Sequence, residues 1–125
     1  MKIIYENREY SCSFEFALDI ISGKWKGMIL WHLSHGTLRY GELKKLLGNI
    51  TQKMLTQTLR DLEKNQLITR KVYPVVPPKV EYTITQEGMK LIPIFQQLQE
   101  WGSDIGAKLG KAVACSKHSE LSDLH

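Results

Sequence analysis

The 125-residue sequence is the size of one small domain, and its 42% hydrophobic and 24% charged residues are ordinary for a folded protein and argue against extensive disorder. No stretch holds the roughly 18 uncharged apolar residues that a membrane span needs, and charges interrupt the start before a signal-peptide core could form, so we expect a cytoplasmic protein without membrane contact. Two cysteines, Cys12 and Cys115, are too few for a disulfide scaffold or a zinc site, which predicts reduced thiols and no metal or other cofactor.

The net charge of +4 is concentrated between Thr51 and Val80. This stretch contains six lysines and arginines but two acids, whereas the charges in the rest of the chain balance. A local excess of positive charge is typical of a polyanion contact. A solvated basic face without a partner would give the same pattern.

Three short helices are predicted in the first half of the chain. Apolar residues at helical spacing indicate a helix from Phe14 to Ile21, with Ser13 as its cap. A second helix over KWKGMILWHLSHG closes at Gly36 and has the pattern of the most buried helix. A third, within TLRYGELKKLLGN, ends at Gly48.

The sharpest signal is an amphipathic helix in TQKMLTQTLRDLEKNQL. Thr51 can cap it, and Leu55, Leu59 and Leu62 predict a buried face. The opposite face has hydrogen-bond donors and no acid: Gln52, Lys53, Thr56, Gln57 and Arg60. Because exposed helix faces usually mix glutamate with lysine, this composition indicates a face that meets something negative.

Two β-branched runs, LITRKVY and KVEYTIT, predict an antiparallel hairpin around the proline-rich tip PVVPP. Three cations lie on this hairpin: Arg70, Lys71 and Lys79.

A long terminal helix is predicted after Gln86, with Pro93 either kinking it or lying in its first turn. Its apolar stripe is longer than one small domain would cover, which predicts pairing with a second copy of the chain. The stripe comprises Leu91, Phe95, Leu98, Trp101, Ile105 and Leu109. Residues 113–125 have no clear period and are expected to be disordered.

Together these elements predict a fold that is mainly α with a small β-hairpin, an α+β winged helix-turn-helix forming a single domain over 1–125. Residues of about 23–85 form the DNA-binding core, and the stripe of the terminal helix forms a dimer contact. The helix from Gln52 to about Lys64 enters the major groove of double-stranded DNA, and the hairpin reaches the adjacent backbone or minor groove.

Each residue type in this arrangement has a physical task. Glutamine can pair with adenine, lysine and arginine with guanine or phosphate, and a threonine methyl can touch that of thymine. The recognition-helix residues are Thr51, Gln52, Lys53, Thr56, Gln57 and Arg60. The hairpin cations Arg70, Lys71 and Lys79 are assigned to phosphates, which set affinity and register without reading sequence.

The chain from Cys12 to Trp101 resembles the HxlR-type transcriptional regulators, relatives of the MarR winged helices. The motifs that carry the resemblance are Gly23-Lys24-Trp25, the Leu30 and Leu33 pair, Arg39-Tyr40, Glu42-Leu43, ITQKMLTQTLRDLE, and PPKVEYTIT followed by Gly88, Leu91 and Trp101. The resemblance implies a cytoplasmic, nucleoid-associated bacterial homodimer on a pseudo-palindromic operator, and it adds Arg39 to the flank of the DNA surface. It also implies that 12–22 with 86–112 form the dimer contact, through Phe14, Leu91, Phe95, Leu98, Trp101 and Ile105.

Two positions depart from the family pattern. Ser13 stands where a proline is usual, and Asn65-Gln66 stands where the turn after the recognition helix usually has a glycine. Because asparagine tolerates the left-handed conformation, we expect Asn65 to preserve the turn. The missing proline is expected to leave the fold intact and to alter how Cys12 is presented.

Several members of the family sense oxidants, quinones or aldehydes through a cysteine that matches Cys12. Helix N-termini favour the reactive thiolate, so a cysteine just before the first helix is suitably placed. We therefore expect modification or intersubunit bridging of Cys12 to release DNA, with Cys115 as a candidate resolving partner. The competing interpretation is that Cys12 is a small buried hydrophobe.

Three alternatives stay open. The regulator could answer to a non-covalent small-molecule effector bound between the terminal helices and the DNA-binding lobe, or the winged helix could dock proteins without binding DNA. An enzyme is disfavoured because nothing brings Cys12 together with His32 or His35 as a nucleophile and base. Trp25, Trp31 and Trp101 are interpreted as core or dimer residues rather than a ligand cage.

Overall fold

The computed structural model describes residues 1–110, so Cys115, the end of the predicted dimer segment at 111–112 and the tail 113–125 lie outside the described residues. In chain order the elements are β1 Ile3–Tyr5, β2 Arg8–Tyr10, α1 Ser13–Ile21, α2 Lys24–Leu33, β3 Leu38–Arg39, α3 Tyr40–Leu47, α4 Gln52–Lys64, β4 Ile68–Tyr73, β5 Lys79–Ile84, α5 Gln86–Met89 and α6 Ile92–Leu109. The predicted mainly helical winged fold with a long C-terminal helix is confirmed.

The core lies among α2, α3 and α4 and extends to the start of β4. Its largest fully buried side chains are aliphatic: Ile29, Leu30, Leu33, Leu43, Leu47, Leu55, Leu62 and Ile68. Each contributes about 1.5–3 kcal/mol through removal from water. This burial fixes α4 on α2 and leaves the polar face of α4 outward.

The wing is a three-stranded antiparallel sheet in the order β3-β5-β4. The hairpin of β4 and β5 is confirmed, with Arg70 opposite Tyr82 and Lys71 opposite Glu81. The third strand, Leu38–Arg39, was not predicted, because two residues are too short to show an alternating pattern. It places Arg39 opposite Glu81 on the far edge of the sheet.

A second, unpredicted hairpin forms at the N-terminus, where β1 pairs with β2. Its two-residue turn, Glu6-Asn7, has φ angles of 52° and 63°, as a tight hairpin turn requires. The sequence does not indicate this hairpin, because its strands are only three residues long and its Glu-Asn turn lacks the glycine of the common turn pairs. Tyr10 of β2 is buried, which anchors the hairpin to the helices.

Helix ends agree with the sequence at some positions and differ at others. Thr51 caps α4 as predicted, because its Oγ1 accepts the Met54 N–H at 3.1 Å. The predicted Ser13 cap is wrong, since Cys12 has the extended backbone of the cap position and Ser13 is already helical. Similarly, α2 ends at Leu33 rather than running to Gly36.

The turn after α4 forms, but its left-handed residue is Gln66 with φ of 63°, not Asn65. The Leu67 N–H then donates to the Leu62 carbonyl at 2.9 Å, which closes the helix. The chain therefore reverses one residue later than the sequence suggested.

Pro93 lies in the first turn of α6 rather than at a kink, where its missing N–H costs nothing. The helix is about 27 Å long by its 18 residues. Leu91 precedes it as the cap residue, and the short α5 separates it from the wing. Within residues 1–110 no helix is long and apolar enough to cross a membrane.

Candidate nucleic-acid interface

The outward face of α4 is held rigidly by its buried face. Leu55, Leu59 and Leu62 lie in the core, and Thr58 is buried with its hydroxyl donating to the Met54 carbonyl at 2.7 Å. The five predicted donors line one open surface groove: Gln52, Lys53, Thr56, Gln57 and Arg60. All but the half-buried Thr56 are exposed, so the groove presents donor groups to whatever lies against it.

Tyr40, the first residue of α3, braces this face. Its hydroxyl donates to the Gln52 carbonyl at 3.1 Å and lies 3.1 Å from Thr56 Oγ1. These contacts link the consecutive helices α3 and α4. The sequence shows Tyr40 only as part of a family motif. A contact between an aromatic hydroxyl and the next helix leaves no periodic pattern in the sequence.

The groove is not as free of acids as the helix spacing suggested. Gln57 Nε2 donates to Asp61 Oδ1 at 3.0 Å, so a carboxylate borders the donor face one turn further along. A bidentate contact of Gln57 with a base would require this hydrogen bond to open. Asp61 thus holds the Gln57 side chain in place and occupies one of its N–H donors.

Lys71 and Lys79 form a cationic cluster on the outer face of the wing. Their ammonium groups lie 4.8 and 4.7 Å from the ring centre of Tyr73, within range for cation–π attraction. Lys79 Nζ is also 3.3 Å from Glu81 Oε2. The Tyr73 ring therefore contacts both lysine charges.

Glu81 brings a negative charge to this cluster. It lies one residue beyond the basic stretch from Thr51 to Val80, so the excess positive charge of that stretch does not include it. It accepts a hydrogen bond from the Tyr73 hydroxyl at 3.0 Å. That bond, and next Lys79, lower the pKa of the Glu81 carboxyl. Arg39 is its cross-strand neighbour, so Glu81 lies among three predicted DNA-contacting cations.

Arg70 is separated from the other wing cations. Since successive residues of a strand point to opposite faces, Arg70 shares the face of Tyr82 and the core, whereas Lys71 shares that of Glu81. Arg70 Nε lies 3.8 Å from Glu63 Oε1 of α4. Beside it, burial raises the pKa of the Tyr82 hydroxyl. Arg70 thus faces α4, on the side of the wing opposite Lys71.

Cys12 is exposed immediately before α1. The interpretation of Cys12 as a small buried hydrophobe is therefore wrong. Its carbonyl accepts the Phe16 N–H at 3.2 Å as the first bond of α1, which leaves the side chain outside the helix.

The predicted dimer residues divide into two groups. Phe14, Leu98 and Trp101 are 70, 58 and 63% exposed, and Ile105 is half-buried. Leu91 and Phe95 instead pack against the chain's own core. Trp31 is buried, and Trp25 is half-buried and packs against the same core. Trp101 differs from these two tryptophans in its exposure.

A braced second helix with an outward donor face, followed by a basic hairpin, defines a winged helix-turn-helix of the kind that binds DNA. The family model for the HxlR-like helix-turn-helix matches residues 20–109. The chain belongs to the HxlR family and is a DNA-binding transcriptional regulator, which confirms the resemblance read from its motifs.

Relatives and solved structures agree with this assignment. The chain is 53% identical over 95 residues to the uncharacterized HTH-type transcriptional regulator YkvN of Bacillus subtilis (strain 168), covering 76% of this chain and 80% of YkvN. It superposes on the redox regulator HypR in its reduced form with a TM-score of 0.71, at 46% identity over 74% of this chain and 92% of HypR. Diamide-treated YodB from B. subtilis gives a TM-score of 0.64, at 32% identity over 81% and 97% of the two chains.

Proposed function

We propose that this regulator binds a pseudo-palindromic operator as a homodimer, with α4 reading bases and the wing contacting phosphates. The observation that carries the proposal is the groove on α4 whose five lining residues all have donor side chains. Bases offer acceptors in the major groove, and arginine and glutamine match them in pairs. The proposed recognition contacts are Thr51, Gln52, Lys53, Thr56, Gln57 and Arg60.

The wing would add affinity through charge. Lys71 and Lys79 both contact the Tyr73 ring, and Arg39 is on the same face of the sheet. Phosphate contacts of this type fix register without reading sequence. Arg70 would contact DNA only after exchanging its 3.8 Å ion pair with Glu63 for a phosphate.

The homodimer is supported by apolar surface on α1 and α6. Phe14, Leu98 and Trp101 are each more than half exposed in one protomer, and large apolar groups of this kind mark interaction surfaces. Burying them between two copies would place two α4 helices for successive major grooves, about one helical turn apart.

Cys12 is the proposed switch. Two Cys12 thiols, one from each protomer, would give up two electrons and two protons to an oxidant such as diamide and form an intersubunit disulfide. Bridging at the start of α1 would shift the spacing of the two α4 helices and release DNA. The exposed thiol beside the exposed Phe14 supports this step, as do the redox regulator HypR and the diamide-treated YodB among the similar structures.

Selection of bound DNA from a random pool tests the operator and the switch together. Reduced protein is expected to enrich inverted repeats with half-sites about 10 base pairs apart, and diamide is expected to abolish the enrichment. Cys12→Ser should enrich the same sites with and without diamide. The matched control is Cys115→Ser, which separates the two thiols.

Two outcomes would contradict the proposal. Reduced protein that enriches no sequence would refute base reading by α4. Cys12→Ser protein that still loses all binding on diamide treatment would refute the switch and leave the DNA-binding function standing.

A further inference from the structure

The N-terminal hairpin contacts the end of α4. The Tyr5 hydroxyl donates to Asn65 Oδ1 at 2.9 Å, and Asn65 is the residue that ends α4. At the tip of the hairpin, Glu6 Oε1 lies 2.5 Å from Lys64 Nζ, and this hydrogen bond raises the pKa of the Lys64 ammonium. The last residue of α4 and its C-cap are thus held by two adjacent residues of the hairpin.

The other end of the hairpin is fixed to α1. The Tyr10 hydroxyl donates to Asp19 Oδ2 at 2.6 Å, which raises the pKa of the Tyr10 hydroxyl, and Arg8 Nη1 pairs with the same oxygen at 3.2 Å. The Phe16 ring packs edge-on against Tyr5 and Tyr10, with centroids 5.7 and 5.1 Å apart. The hairpin therefore bridges α1 and the C-terminal end of α4.

Charged and hydroxyl groups line a cleft beneath the bridge: Tyr5, Glu6, Arg8, Tyr10, Asp19, Lys26, Asp61 and Lys64. Its main charges are already paired with one another, Glu6 with Lys64 and Arg8 with Asp19. This arrangement fits a clasp between two elements better than a pocket awaiting a charged ligand.

The location of the clasp matters because α4 is already held at its other end. Thr51 and Tyr40 fix the N-terminal turn. The 13-residue helix is about 20 Å long, so a tilt of a few degrees moves one end by about 1 Å relative to the other. Contacts to base edges depend on hydrogen-bond distances of about 3 Å and would be lost first by such a tilt.

We propose that the N-terminal hairpin positions the recognition helix, with Tyr5 and Glu6 holding the C-terminal end of α4 at the angle that reads bases. The inference rests on the proposed function and extends it to residues that precede the family match at 20–109. Tyr5 and Glu6 are positioning residues, because they act on DNA only through α4.

A double-mutant cycle on Tyr5 and Asn65 tests the clasp. Tyr5→Phe removes the hydroxyl and keeps the ring against Phe16, so the fold is retained. Affinity is measured for the selected operator and for unrelated DNA of equal length, together with Tm. The matched control is Glu9→Gln, since Glu9 pairs with Lys2 at 3.3 Å on the same hairpin.

Tyr5→Phe is expected to weaken operator binding about three- to fivefold, the equivalent of one net hydrogen bond, and to leave binding to unrelated DNA unchanged. The double variant Tyr5→Phe/Asn65→Ala should bind no more weakly than Asn65→Ala, because both changes remove the same interaction. Glu9→Gln should match wild type on both DNAs.

The inference is overturned if Tyr5→Phe binds both DNAs as tightly as wild type does, if the effects of the two changes add, or if binding to both DNAs is weakened equally. The last result would make the hairpin a backbone contact instead. Wild-type protein that does not distinguish the two DNAs would refute the proposed function along with this inference, whereas the outcomes for Tyr5→Phe refute the inference alone.

Discussion

Gly88→Ala is expected to destabilise the protein by wedging a methyl group between the wing and the core. A Cβ at residue 88 would lie 2.5 Å from the Leu67 carbonyl oxygen and 2.6 Å from Ile84 Cγ1. The Leu67 carbonyl cannot move away freely, because it accepts the Thr85 N–H at 3.0 Å. The Leu67 N–H is held in turn by the Leu62 carbonyl at 2.9 Å.

Overpacking of this kind costs about 1–3 kcal/mol, and the pinned backbone places Gly88→Ala at the upper end, about 3 kcal/mol. For a chain of this size that corresponds to a fall in Tm of about 12 °C. Thermal unfolding followed by circular dichroism measures it, with all variants at one protein concentration because self-association makes Tm depend on concentration. The matched control is Gly41→Ala in α3, where no atom lies within 4 Å of an added Cβ.

Gly41→Ala should leave Tm unchanged or raise it slightly, because alanine restricts the unfolded chain more than glycine does. A Gly88→Ala protein as stable as Gly41→Ala would refute the close packing of α5 against Leu67 and Ile84. It would also remove the physical reason for glycine at this family motif position.

Three further results are expected. Thr51→Ala should lower the free energy of unfolding in urea by about 1 kcal/mol through loss of the α4 cap and should weaken DNA binding. Thr51→Ser should be close to wild type. Equal stability of the two variants would contradict the cap. Glu81→Gln should make Tm fall less steeply as the pH is lowered. The pKa of Glu81 is lowered in the folded protein, so its carboxylate gives stability that is present above the ordinary pKa of 4.5 and lost as pH falls through the pKa of the folded state. An unchanged fall of Tm at acid pH would contradict the Tyr73 hydrogen bond. Trp101→Glu and Leu98→Glu should shift the sedimentation mass from dimer to monomer, and a dimer mass in both would contradict the α6 interface.

The sequence predicted those elements whose pattern is periodic. The buried leucines of α4 and its outward donors recur at helical spacing. The β4–β5 hairpin consists of two β-branched runs on either side of a proline-rich tip. Both elements could therefore be located from the sequence alone. Thr51 was recognised because capping is a local interaction of one side chain with the next turn.

The features that sequence reasoning missed depend on contacts between distant residues. The N-terminal hairpin is too short and too charged to show alternation, and the contact of Tyr5 with Asn65 joins residues 60 positions apart. Glu81 lay outside the basic stretch and became relevant only through its strand partners. Arg70 is one position from Lys71, yet its parity in the strand places it on the opposite face.

We propose that α4 reads bases and that the wing sets affinity. The most direct measurement is the affinity of wild type, Arg60→Ala and Lys71→Ala/Lys79→Ala for the selected operator and for its single-base variants, at several salt concentrations. Arg60→Ala is expected to lose about 1–3 kcal/mol of discrimination at one base position. The wing double variant should weaken binding to all sites equally and reduce the salt slope by about two. An Arg60→Ala protein with unaltered base preference, or a wing variant that prefers a different sequence at intact affinity, would contradict this division of roles between α4 and the wing.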